Sequence, residues 1–194
     1  MKHVRKERLY KMAKSRINTS KIEKGVSLIL EGMSIDLSDR NYIDTPDRYA
    51  RFILEMFGRK ETDYATFPEE FTDFILLRRH TMYSLCPHHL LPVEFEASVA
   101  YIPNGEVLGL SKLARVLDDV NTGPLLQEKF TKDVVAAITS YCNIKGAACM
   151  VTGQHGCTKI RGVKSNAKFI TYHLSDIFKE DELLSRRFFD LCLH

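Results

Sequence analysis

Residues 93–101 read VEFEASVAY. Val93, Phe95, Ala97, Val99 and Tyr101 fall on one face of an extended chain, and Glu94, Glu96 and Ser98 on the other. This period of two predicts a half-buried strand of an antiparallel sheet. Upstream, FTDFILLRRHTMYSL (71–85) is rich in strand formers and predicts a second strand. Downstream, Pro103-Asn104-Gly105 is a turn that closes towards a short run, Glu106-Val107-Leu108. Ser111 then caps a helix, SKLARVLDD (111–119), and Gly123-Pro124 punctuates. A longer helix, LLQEKFTKDVVAAITSYC (125–142), presents Leu126, Phe130, Val134, Ala137 and Ile138 as its buried face. AACMVTGQH (147–155) and AKFITYHL (167–174) are two more strands, and SDIFKEDELLSRRFFDLC (175–192) is a final helix. Two strands, two helices and two strands predict an α+β fold with an antiparallel sheet.

The segment before the sheet reads as helical. From Ser20 to Gly32, Ile22, Val26, Ile29 and Leu30 keep helical spacing. TPDRYARFILEMF (45–57) begins with Thr45 as N-cap and Pro46 at the first position, carries a stripe of Tyr49, Ile53, Met56 and Phe57, and stops at Gly58. The expected division is an N-terminal helical region over 1–66 and a catalytic domain over 67–194.

Composition narrows the class. The 194 residues are 44% hydrophobic and 27% charged, ordinary for a globular protein with a core of its own. No apolar run approaches the roughly 20 residues that span a bilayer. The basic start, MKHVRKERLYKMAKSR, lacks an apolar stretch and includes Glu7, so it reads as a solvated helix or arm, and a cytoplasmic protein is expected. A net charge of +3 makes no case for nucleic acid. Five cysteines, an odd count, point to reduced thiols instead of a disulfide framework. Cys142 and Cys149 sit in apolar runs and read as small buried hydrophobes.

Chemistry concentrates in Cys86-Pro87-His88-His89 and, after a strand, His155-Gly156-Cys157. Two thiolates and an imidazole form a three-ligand zinc set with a fourth position for water, whose pKa such a metal lowers to about 7. A closed structural site normally takes four protein ligands. A further histidine beside each cysteine suits acid–base work. Lys112 and Arg115 share one face of the helix that Ser111 opens, and the helix N-terminus favours anions. Arg161, four residues past Cys157, adds a positive charge. Spacing alone favours a solvated face for the helix pair, and two solvent-facing polar residues for Gln127-Glu128.

CPHHLLP (86–92), AYIPNGEVLGLSKLARV (100–116), LLQEKFT (125–131) and QHGCTKIRGV (154–163) together resemble type I GTP cyclohydrolase, from about Tyr42 to the C-terminus. The resemblance implies zinc ligation by Cys86, His89 and Cys157, with catalytic histidines at His88 and His155. It puts Ser111, Lys112, Arg115 and Arg161 along the ribose and triphosphate of GTP, and Gln127 and Glu128 at the guanine. The implied architecture is the tunnelling fold: a four-stranded antiparallel sheet with two helices on one face, assembled as a homodecamer with active sites between subunits and no nucleic-acid or membrane partner. Two departures stand out. Pro87 replaces a usual Glu, and VLDDVNTGP (116–124) replaces a more basic stretch. The alternatives are another tunnelling-fold enzyme acting on a different purine or deazapurine, a nucleotide-binding relative without catalysis, and a zinc-stabilised structural module.

Overall fold

The computed structural model describes residues 17–58 and 63–194, which fall in two compact units. The basic arm expected over the first sixteen residues lies outside the described residues. In the first unit, α1 (Thr19–Gly32) packs against α2 (Thr45–Phe57). Asn18 caps α1, its side chain accepting from the Lys21 N–H at 2.9 Å. The cap of α2 is Asp44, one residue before the expected Thr45, because Arg48 N–H already bonds the Asp44 carbonyl.

The second unit holds β1 (Thr66–Pro68), β2 (Ile75–Leu85), β3 (Pro92–Pro103), β4 (Glu106–Leu108), α3 (Leu110–Val120), α4 (Gln127–Tyr141), β5 (Ile144–His155), α5 (Gly156–Lys159), β6 (Phe169–Leu174), α6 (Ile177–Glu180) and α7 (Glu182–Leu193). Strands β2-β3-β5-β6 form a four-stranded antiparallel sheet in that order. This is the expected α+β architecture. The alternating face of β3 behaves as its period requires: Val93, Phe95, Ala97, Val99 and Tyr101 pack with Leu113, Val116 and Leu117 of α3 and with Phe130, Val134 and Ile138 of α4. Phe95 and Phe130 stack with centroids 5.5 Å apart. The two helices thus cover one face of the sheet. Leu126, expected on the buried face of α4, lies before the helix and is exposed.

The second face is not solvated along its whole length. Ala100, Ile102, Ala148 and Met150 pack under Phe178, Phe188 and Cys192 of α6 and α7. Ser98, on the polar side of the alternation, is buried, and its hydroxyl accepts from the Arg79 N–H at 3.0 Å. Arg79 sits at a bulge of β2 with φ +53. The final helix is two helices, because Asp181 leaves helical geometry to cap α7 and accepts from the Leu184 N–H. The short run after the turn finds its partner far upstream. After the turn at Gly105 (φ +81), β4 pairs with β1, Phe67 opposite Val107, and the Leu108 N–H is tied to the Tyr101 hydroxyl at 2.8 Å.

Candidate metal centre

Cys86 follows the last residue of β2, and the loop 86–91 turns the chain into β3. Two main-chain bonds close the loop: Cys86 N–H to the Leu91 carbonyl and Leu90 N–H to the Cys86 carbonyl, each 2.9 Å. Leu90 takes φ +54 to complete the turn. Pro87 contributes neither donor, so its missing N–H is no loss here, and a proline suits the first corner of a tight turn. Pro87 thus leaves the loop closed.

Cys157 arrives from the far side of the sheet's central pair. Val93 of β3 lies opposite His155 of β5, so the end of β5 reaches the start of β3. Gly156 then turns the chain into α5. A Cβ there would stand 2.8 Å from the Pro92 carbonyl oxygen, so only glycine lets this turn close on the Cys86 loop. As a result Cys86, His89 and Cys157 bring one ligand atom each within 4.8 Å of one another. His89 presents Nδ1 to Cys86 Sγ at 3.7 Å, and Arg161 donates to its Nε2. His88 is exposed, with Nδ1 3.9 Å from the same sulfur.

This donor set fits a zinc ion. Burial, then the hydrogen bond and charge of Cys86, push the Cys157 thiol up, while Arg161 acts in the opposite direction. Two thiolates so close repel each other, and a divalent cation relieves that repulsion. Three protein ligands leave a coordination position free, as in catalytic sites. Cys142 and Cys149 are buried away from this cluster. Burial first, then the nearby Glu106 carboxylate, pushes the Cys142 thiol up to about 11. Burial pushes Cys149 up as well, so both read as the small hydrophobes expected.

His155 stands at the last position of β5, with its ring between two aromatic edges: Phe95 at 6.0 Å and Phe169 at 5.6 Å. Burial lowers its pKa, and the Glu128 charge acts against that shift. The Leu125 N–H bonds the Leu85 carbonyl, which brings the N-terminus of α4 beside the end of β2. Glu128 is exposed there. The expectation that the Gln127 side chain reads a guanine edge meets a different environment. That side chain is 3% exposed, with its amide oxygen 2.8 Å from His155 Nε2 and its amide nitrogen on two main-chain carbonyls.

Ser111, Lys112 and Arg115 lie in the first turns of α3, with Ser111 and Arg115 exposed. None of the three makes a side-chain hydrogen bond or ion pair with a described residue. Arg161 is the one cationic residue of the expected anion set that touches the donor cluster among the described residues. Sequence reading passed over Gly153, Gly156, Phe95 and Phe169 as parts of this site. The two glycines flanking a histidine at a strand end were the available signal, since glycine in a strand marks close approach of another group.

The GTP cyclohydrolase I family profile matches residues 22–193. A Clostridium perfringens protein (strain 13 / Type A) named GTP cyclohydrolase 1 is 40% identical over 179 residues, which span 89% of this chain and 97% of that protein. A Thermoanaerobacter pseudethanolicus protein of the same name is 39% identical over 173 residues, 86% of this chain and 92% of that protein. Among solved structures, an archaeosine synthase QueF-Like in the apo form matches with a TM-score of 0.45 and 20% identity, over 55% of this chain and 96% of that one. That structural likeness is too distant to bear on the site.

Proposed function

The chain belongs to the GTP cyclohydrolase I family, and from this we propose a zinc-dependent opening of the GTP imidazole ring at C8. Formate leaves, and the remainder rearranges to 7,8-dihydroneopterin triphosphate. The observation that carries this reading is the Cys86, His89 and Cys157 donor set, with His88 beside Cys86 and His155 two residues before Cys157. When bound there, zinc supplies a Lewis acid that lets water act as a nucleophile at neutral pH.

The chain's own residues do the rest. C8 of guanine is a poor electrophile until N7 is protonated. In its doubly protonated form His155 delivers that proton from Nδ1, the ring nitrogen that takes part in no hydrogen bond with a described residue. His88, exposed beside Cys86, serves the later acid–base steps of ring cleavage and ribose rearrangement. Glu128 accepts from N1–H and the exocyclic amine of the guanine, and Ser111 faces the ribose. Lys112, Arg115 and Arg161 hold the triphosphate, which does not react. Its binding energy fixes C8 in place. We place the enzyme in the cytoplasm as a homo-oligomer, a decamer by family resemblance, with each site completed by a neighbouring subunit. No helix among the described residues is long and apolar enough to cross a membrane.

The test is incubation of zinc-supplemented protein with GTP, followed by oxidation and detection of a fluorescent pterin. Lys112→Ala is expected to lower kcat/KM for GTP by about 10- to 100-fold, the worth of one or two charge-assisted hydrogen bonds. It should leave guanosine use nearly unchanged. An equal loss with both substrates would remove Lys112 from the anion site.

A further inference from the structure

We propose that Gln127 is a positioning residue: it fixes the ring orientation and the proton position of His155, so that Nδ1 is the atom offered to the substrate. The inference rests on the role given to His155 above and deepens it.

Hydrogen-bond inventory decides the matter. The Gln127 amide faces three partners: the Val151 carbonyl at 3.0 Å, the Phe169 carbonyl at 2.9 Å and His155 Nε2 at 2.8 Å. Carbonyl oxygens only accept, so the atom facing both of them is the NH2 group, and its two hydrogens are used. The atom left for His155 is the amide oxygen, which also only accepts. His155 Nε2 therefore carries a hydrogen, and the lone pair of the neutral ring lies on Nδ1. This assignment does not depend on how the amide was oriented, because a flipped amide would set an oxygen against two carbonyls.

Neighbouring residues hold the arrangement in place. Gln127 opens α4, and that first turn is anchored by Thr131, whose hydroxyl donates to the Gln127 carbonyl and meets the Thr171 hydroxyl at 2.7 Å. Gly153 supplies a second, independent sign. A Cβ at that position would stand 2.2 Å from the Gln127 amide oxygen and 3.1 Å from His155 Nε2. The space beside the strand is filled by the hydrogen bond itself, so residue 153 has no room for a side chain. With Phe95 and Phe169 against the ring, the remaining freedom of His155 is the edge that carries Nδ1.

The experiment uses the full-length protein with labelled histidine nitrogens, read by magic-angle-spinning NMR above the pH where the rings titrate. The His155 signals are identified by their loss in His155→Asn. The expected spectrum has the His155 proton on Nε2, and Gln127→Met shifts it to a mixture of tautomers. Since Gln127→Met also strips donors from two carbonyls, Gly153→Ala is the companion variant; it removes no donor and crowds the contact between the amide oxygen and His155 Nε2. Both variants are expected to lower kcat by roughly 10- to 100-fold, as for other partners that orient a functional imidazole, with little change in KM. Placed on His155→Ala, Gln127→Met should add nothing. A native spectrum with the proton on Nδ1, or a loss from Gln127→Met undiminished in the His155→Ala background, would overturn the proposal. A fully active His155→Ala enzyme would overturn the reading of His155 instead, and is told apart because the tautomer is read without turnover.

Discussion

Cys157→Ser protein is expected to lose its zinc in a mild chelator wash and to open GTP at least ~10³-fold more slowly than the native chain. The magnitude follows from removing a Lewis acid that brings the ionisation of water from about 15.7 to about 7. The fold should survive. Cys157 belongs to the short helix after β5 and is only half-buried, whereas the core is carried by β3, α3 and α4. Cys149→Ser gives the contrast. That thiol is fully buried and pushed up by burial, so its replacement should lower the melting temperature yet leave zinc content and turnover per folded chain intact. Metal analysis, thermal unfolding and turnover on the same two samples check both halves. Zinc retained at full occupancy by Cys157→Ser would break the ligand assignment.

His155→Ala is expected to keep one zinc per chain and to lose ~10²- to 10⁴-fold in kcat, the range for a positioned general acid or base. The imidazole touches Gln127, Phe95 and Phe169 and is not among the three donors, so metal content should be indifferent to it. Loss of rate without loss of metal separates the two functions that one short motif, His155-Gly156-Cys157, holds within three residues. Were zinc lost together with activity, His155 would have to be counted as part of the metal shell.

Much of this was open to sequence reading, for identifiable reasons. Strand β3 declares itself because its period of two is strict from Val93 to Tyr101, and α4 because Phe130, Val134 and Ile138 keep one face. The donor set is legible because thiols and imidazoles have few other reasons to recur in the pattern Cys86, His89 and Cys157. The unreadable parts depend on where distant segments land. Burial of Ser98 and Ala100 follows from α6 and α7 packing on the second face of the sheet, which nothing within β3 announces. The pairing of β4 with β1 competes with a simple hairpin after Gly105, and only the three-dimensional course of the chain decides it. Gln127 shows the limit most clearly. Next to Glu128 it reads as half of a polar pair on a helix, yet the two side chains part, one exposed and the other sealed against Val151, Phe169 and His155. Gly153 and Gly156 carried the hint, since each marks a place where another group comes too close for a Cβ.

On the proposed reading, the Cys86, His89 and Cys157 cluster binds the metal that opens GTP at C8. The most direct test is a zinc titration of metal-stripped protein in the presence of GTP carrying an isotopic label at C8. Labelled formate is expected to be released in proportion to added zinc, saturating at one ion per chain, and the pterin formed to carry no label. Formate released at the same rate by the stripped protein, or a zinc-loaded protein that binds GTP and leaves C8 in place, would contradict it.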